Sequence, residues 1–135
     1  MDINILKNLV RTGKISSVDA VNNTARVVFE DKDNDVSGDL IIVNRGSMNV
    51  KDYWMPDVDE QVVCLFLPNT KAGLKAGFVL GSFFSSADAP QVGDANKRRI
   101  DFDGASYIEF DRATGGLTIN CKGPIVLKGS TISLN

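Results

Sequence analysis

The residues of this sequence whose types and spacing invite a chemical reading are mostly carboxylates. Asp31, Asp33 and Asp35 alternate beside Glu30, a density of oxygen ligands suited to Ca²⁺. The twelve-residue calcium loop fails here, however. With Asp31 in its first position, Val36 falls where the sharp turn needs glycine and Ile42 where the loop needs a bidentate Glu, so the segment reads as a solvated acidic loop. Asp101, Asp103, Glu109 and Asp111 form a second set. Paired carboxylates act as acid and base only across a cleft, and these alternate with Phe102, Ile108 and Phe110 as the outward polar partners of strand residues. Tyr53, Trp54 and Pro56 can make a stacking platform for bases or sugars. Without basic residues nearby for phosphates, they read instead as a structural loop packed over the end of a barrel. Lys97, Arg98 and Arg99 are the only basic triplet, a polar collar at a domain junction or a contact for acidic groups of a partner.

The sequence has no histidine, which removes the commonest general base and the commonest metal ligand. No nucleophile motif is present either. The expectation is a protein that is not an enzyme and carries no metal and no cofactor. Fifteen Lys and Arg against 17 Asp and Glu leave a formal charge of −2, with no run of five like charges, so no nucleic-acid partner is expected. An apolar run of membrane-spanning length is missing and the start lacks the order of a signal peptide. Synthesis in a cytoplasm without membrane anchoring is expected. Cys64 and Cys121 lie in apolar, strand-like runs and read as small core hydrophobes, not a disulfide.

The elements that must position these residues are strands. Ile3, Ile5, Leu6, Leu9 and Val10 have roughly helical spacing, with Gly13 suited to end the turn. Ile15 to Ala20 and Ala25 to Phe29 then alternate around Asn22-Asn23 as a hairpin. LIIVN, QVVCLFLP and GFVLGSFF supply three more strands, the last two joined by a NTKAGLKA hairpin loop, with Gly77 and Gly81 suited to bends or bulges. Five strands with little helix predict an all-β chain built on a closed Greek-key barrel of the oligonucleotide/oligosaccharide-binding (OB) type. The expected division is an N-terminal helix or arm over 1–12, the barrel over 13–86, a linker over 87–97 and a β-stalk over 98–135.

The stalk sequence is a series of short apolar runs, IDF, SYIEFD, GLTINC, PIVLK and TISL. Leu117 and Ile119, Ile125 and Leu127, and Ile132 and Leu134 recur at spacings of eight and seven residues. Alternation puts Ile108, Phe110, Leu117, Ile119, Ile132 and Leu134 on one side, with Glu109, Thr118 and Asn120 on the other. So few residues cannot bury enough apolar surface to offset about 1–2 kcal/mol of backbone entropy each. The segment therefore needs partner chains around a common axis, which would also cap its edges; periodicity leaves their number open.

The sequence resembles the phage baseplate assembly protein V or tail-spike family, related to the spikes of type VI secretion and other contractile injection systems. The resemblance runs through Arg11-Thr12-Gly13-Lys14-Ile15, Val18-Asp19, Ala25-Arg26-Val27, Phe66-Leu67-Pro68, Val79-Leu80-Gly81 and Ile108-Glu109-Phe110-Asp111-Arg112. It is densest at Trp54-Met55-Pro56-Asp57-Val58-Asp59-Glu60-Gln61-Val62, where Asp59 stands in place of the family's usual glycine. It implies structural roles for Trp54, Pro56, Glu60, Gln61, Val62 and Gly81. It also implies a homotrimer docked on the tail-tube hub, with a β-helix or β-prism stalk whose core holds Ile108, Phe110, Leu117, Ile119, Ile125, Leu127, Ile132 and Leu134. The implied location is the baseplate of a phage or phage-tail-like particle. A His-x-His iron tip is ruled out by the missing histidines, the short stalk implies either a separate PAAR-like tip protein or a target with no outer membrane to breach, and there is no space for a lysozyme-like insert. The alternative reading is an OB-fold module binding single-stranded nucleic acid or a glycan, oligomerised by its C-terminal repeat.

Overall fold

The computed structural model describes residues 3–67 and 76–135, so most of the expected NTKAGLKA loop, with Pro68, lies outside the described residues. The chain divides into two units, 1–88 and 89–135. In the first, a five-residue helix α1 (Ile3–Lys7) precedes β1 (Val10–Asp19) and β2 (Thr24–Phe29), with a 3-10 turn at Glu30–Lys32. Then come β3 (Asp35–Val36), β4 (Leu40–Ile42), β5 (Arg45–Ser47), β6 (Lys51–Asp52), β7 (Gln61–Phe66) and β8 (Gly77–Ser82). Strand order β1-β7-β8-β4-β2 closes because β2 also pairs with β1. These five strands therefore form a closed barrel, with β4 and β8 parallel and the other pairs antiparallel. This is an OB-like barrel in an all-β chain. Closure gives each of these five strands a partner on both sides, while the short β3 pairs with β2 at the end of the sheet and β5 and β6 make a separate two-stranded ribbon.

Its core is Ile15, Ala25, Val27, Phe29, Leu40, Ile42, Val62, Cys64, Phe66 and Val79. Alternation along the strands sends these inward. Phe29 and Phe66 meet edge to face at 5.5 Å between centroids, a favoured aromatic geometry. The barrel begins earlier than residue 13, since β1 starts at Val10. Gly13 ends no helix; it sits inside β1, where a Cβ would lie 2.6 Å from Val27 Cγ1 and 2.9 Å from Phe29 Cδ1. Crowding across the strand is what requires glycine there. Bulges fall at Ser16 and Leu80, where the pairing of β1 with β2 and of β7 with β8 slips by a residue. After the first bulge the inward alternation expected of Ile15, Val18 and Ala20 is lost, leaving Val18 and Ala20 exposed.

In the second unit β9 (Lys97–Asp101), β10 (Tyr107–Asp111) and β11 (Gly116–Asn120) form an antiparallel sheet in the order β11-β10-β9. Lys97 thus begins a strand instead of closing the linker. The turn between β9 and β10 is held by Asp103 Oδ1, which accepts the N–H groups of Ala105 and Ser106. These bonds favour the charged carboxylate and hold its pKa below the ordinary value. Residues 121–135 carry no strand and no strand partner within the chain. The expected strands PIVLK and TISL are not formed, so the β-helix is absent from the single chain.

Candidate assembly surface

Register fixes the two faces of the β9–β11 sheet. Ile108 of β10 lies between Ile100 of β9 and Ile119 of β11, and Phe110 lies between Arg98 and Leu117. Paired residues point to the same side, so Ile100, Ile108, Phe110, Leu117 and Ile119 form one apolar face, the last four of which alternation along the sequence places together. The other face carries Lys97, Arg99, Asp101, Tyr107, Glu109, Asp111, Thr118 and Asn120.

Coverage of the two faces is the reverse of a self-sufficient sheet. Ile108, Phe110 and Leu117 are 36%, 42% and 62% exposed, whereas the side chains of Glu109 and Arg99 are only 13% and 17% exposed. The polar face covers itself. Arg99 reaches Asp101 at 2.9 Å and Glu109 at 3.2 Å, Lys97 reaches Glu109 at 3.7 Å, and the Arg99 guanidinium lies 3.6 Å above the Tyr107 ring. Partial burial alone would lower the Arg99 pKa, but its hydrogen bonds to Asp101 and Glu109 outweigh that and raise it. Two members of the basic triplet are therefore occupied within their own sheet. Only Arg98 projects from the apolar face, and its exposed guanidinium rims that face.

The tail that follows is apolar as well. Ile125, Leu127, Ile132 and Leu134 are all exposed on a chain without secondary structure, Leu134 by 90%. Ile108, Phe110, Leu117 and Ile119 are thus brought onto one surface, while Ile125, Leu127, Ile132 and Leu134 are not placed on it by any strand pairing. Sequence alternation missed Ile100, whose part shows only once β9 pairs with β10. Cys121 is exposed just after β11 and is no core residue; Cys64 is buried. The difference is that Cys64 lies on a barrel strand and Cys121 on the unpaired tail.

Residues 54–62 have structural work in the barrel. Trp54 and Met55 pack against the core, Trp54 Nε1 donates to Val43 O at 3.0 Å, and Pro56 is buried. Asp59 adopts φ 74°, so it makes the left-handed turn without glycine. Its N–H donates to Ile15 O at 2.8 Å, and Glu60 O accepts from Ile15 N at 3.0 Å, docking the turn on β1. The Glu60 carboxylate accepts from Asp57 N and from the Ser82 hydroxyl. Val62 is in the core, Gln61 starts β7, and Gly81 adjoins the β8 bulge, where a Cβ would meet open space. Tyr53 is exposed over a small concavity lined by Asn44, Gly46, Ser47, Lys51 and Asp52, whereas Trp54 packs against the core.

Asp31, Asp33 and Asp35 are exposed around the 3-10 turn. Among the described residues no group of three or more His, Cys, Asp or Glu side chains is placed to hold a metal ion, and no helix is long and apolar enough to cross a membrane. No protein-family model matches the chain, and no curated protein matches it.

Proposed function

We propose that this chain is a structural protein, the homotrimeric central spike of a contractile-tail baseplate. Its barrel docks on the tail-tube hub and its C-terminal segment serves as a short stalk directed at the target cell. The single observation that carries the reading is the exposed apolar face of β9–β11, followed in sequence by an unpaired apolar tail, in a chain whose barrel packs its own core. A chain that packs one unit fully and leaves the other open needs partners for the second alone. The five large side chains of that face are 36–62% exposed, so covering each one contributes roughly 1 kcal/mol, about half of what full burial of an exposed side chain gives. The number three, the hub and the baseplate come from the resemblance centred on Trp54 to Val62. In this reading the tail gains its strand partners from neighbouring copies, and a PAAR-like protein completes the tip.

A spike of this kind acts mechanically, without catalysis or cofactor. Its useful property is a high barrier to unfolding under load, set by how completely its edges are paired. Deleting residues 97–135 tests where the assembly energy lies: the remaining barrel should stay soluble and folded as a monomer. Trimers persisting without the stalk would place the main interface in the barrel and refute this account. Titration with labelled single-stranded oligonucleotides at low salt should give no saturable binding; saturation would favour the nucleic-acid-binding module.

A further inference from the structure

The outer surface of the barrel carries a groove that the spike reading does not use. It has a volume of about 340 Å³ and is lined by Thr12, Lys14, Val28, Glu30, Gln61 and Phe83, among others. Pairing explains its composition. Lys14 lies opposite Gln61 on one side and Val28 on the other, and the Phe83 N–H donates to Gln61 O. One row therefore crosses four adjacent strand positions as Phe83, Gln61, Lys14 and Val28. At a spacing of about 4.8 Å between strands, its apolar ends stand roughly 14 Å apart.

The chemistry along that row is amphipathic and electrically balanced. Lys14 Nζ lies 3.5 Å from Glu30 Oε1, and Asp31 at the rim lies 3.5 Å from Arg11, so the groove attracts neither anions nor cations strongly. What it offers is hydrogen-bonding capacity. Gln61 Oε1 is buried and accepts no hydrogen bond, the carboxylates of Glu30 and Asp31 are largely exposed, and Thr12 adds a hydroxyl. Phe83 is partly exposed and lines one end of the groove, an aromatic surface suited to polarised C–H groups. The volume is at the small end of ligand sites. A ligand that fits must be neutral, rich in hydroxyl donors, apolar on one face and about two rings long.

We infer that this groove binds a neutral disaccharide unit, stacked on Phe83 and hydrogen-bonded to Gln61, Glu30 and Lys14. The inference stands on barrel residues alone and is independent of the trimeric reading. The test is an NMR titration of the full-length, ¹⁵N-labelled protein with cellobiose, lactose and N,N′-diacetylchitobiose, using butylammonium and inorganic phosphate as charged controls. At least one sugar should give saturable shifts confined to the amides of Thr12, Gly13, Lys14, Glu30, Asp31 and Gln61. Gln61→Leu should weaken that binding by about tenfold, the worth of one lost polar contact. Phe83→Ala, at an exposed site, should weaken it without altering the rest of the spectrum, which guards against a folding artefact of the first variant. Absence of localised shifts with all three sugars at millimolar concentration overturns the inference. So do equal shifts with butylammonium or phosphate, or sugar shifts that map elsewhere.

Discussion

Asp59 holds φ 74° with its N–H bonded to Ile15 O, a conformation that costs an ordinary L-residue roughly 1–2 kcal/mol and that Asp tolerates better than most. Asp59→Val should therefore lower barrel stability by about 1–2 kcal/mol, whereas Asp59→Gly should stay within about 1 kcal/mol of the native chain, strain relief offsetting added freedom of the unfolded state. Chemical denaturation followed by Trp54 fluorescence ranks the two; equal loss in both would mean that the turn is not held in the left-handed region. Cys64 gives a second residue-scale expectation. Burial in the barrel core pushes its thiol up to about 12, with Arg11 opposing weakly. Because the folded value lies above the ordinary 9.0, the stabilisation is present below pH 9 and fades as the unfolded thiol ionises above it. The native protein should resist alkylation at Cys64 at neutral pH, and mass spectrometry should find label there only after unfolding. Arg11 is the less comfortable neighbour. Its side chain is 5% exposed and stacked 3.9 Å from the Phe29 ring; among the described residues neither Nη atom has a hydrogen-bond partner, and its ion pair is with the exposed Asp31 at 3.5 Å. Replacing a buried, poorly paired charge by an apolar side chain of similar length is often neutral or stabilising, so Arg11→Met should leave the melting temperature unchanged or raised, and a marked fall would show that the cation is better partnered than this geometry indicates.

At the scale of elements, the β9–β10 hairpin depends on Asp103, whose lowered pKa means that its contribution is complete above the ordinary carboxylate range and is lost as pH falls through the folded value, below about 4. Hydrogen exchange of the Ala105 and Ser106 amides should be flat from neutral pH down to that range and should rise only beneath it, after correction for intrinsic exchange rates. The apolar face makes a sharper prediction: Phe110→Glu should break the assembly while leaving barrel fluorescence and melting unchanged, because its side chain touches solvent in the single chain. Much of this level was legible in the sequence. Alternation located the five barrel strands and separated Ile108 and Phe110 from Glu109, since a period of two is local and each strand reports it alone. The bulges at Ser16 and Leu80, the inward crowding at Gly13 and the role of Ile100 were not legible, because each depends on which residue stands across the strand pair. PIVLK and TISL carry the same alternation as the formed strands yet remain unpaired. A strand pattern states a capacity for pairing, and the partner must come from elsewhere. Cys121 was misjudged for the same reason, its apolar neighbours suggesting a core that one chain does not build.

For the whole molecule, two units differ in how they satisfy the same requirement. The barrel closes its sheet on itself and, among the described residues, buries a core of ten, so it is expected to be stable as one chain. The three-stranded sheet and its tail present free edges and apolar side chains to solvent, the condition that soluble proteins otherwise avoid through charge, bulges or cover. In the proposed trimer that exposure is what drives assembly, and it should confine partner dependence to residues 97–135. The most direct measurement is the mass of the full-length protein by multi-angle light scattering at micromolar concentration. The account predicts a single species of three times the 14.6 kDa chain mass. A clean monomer would contradict it.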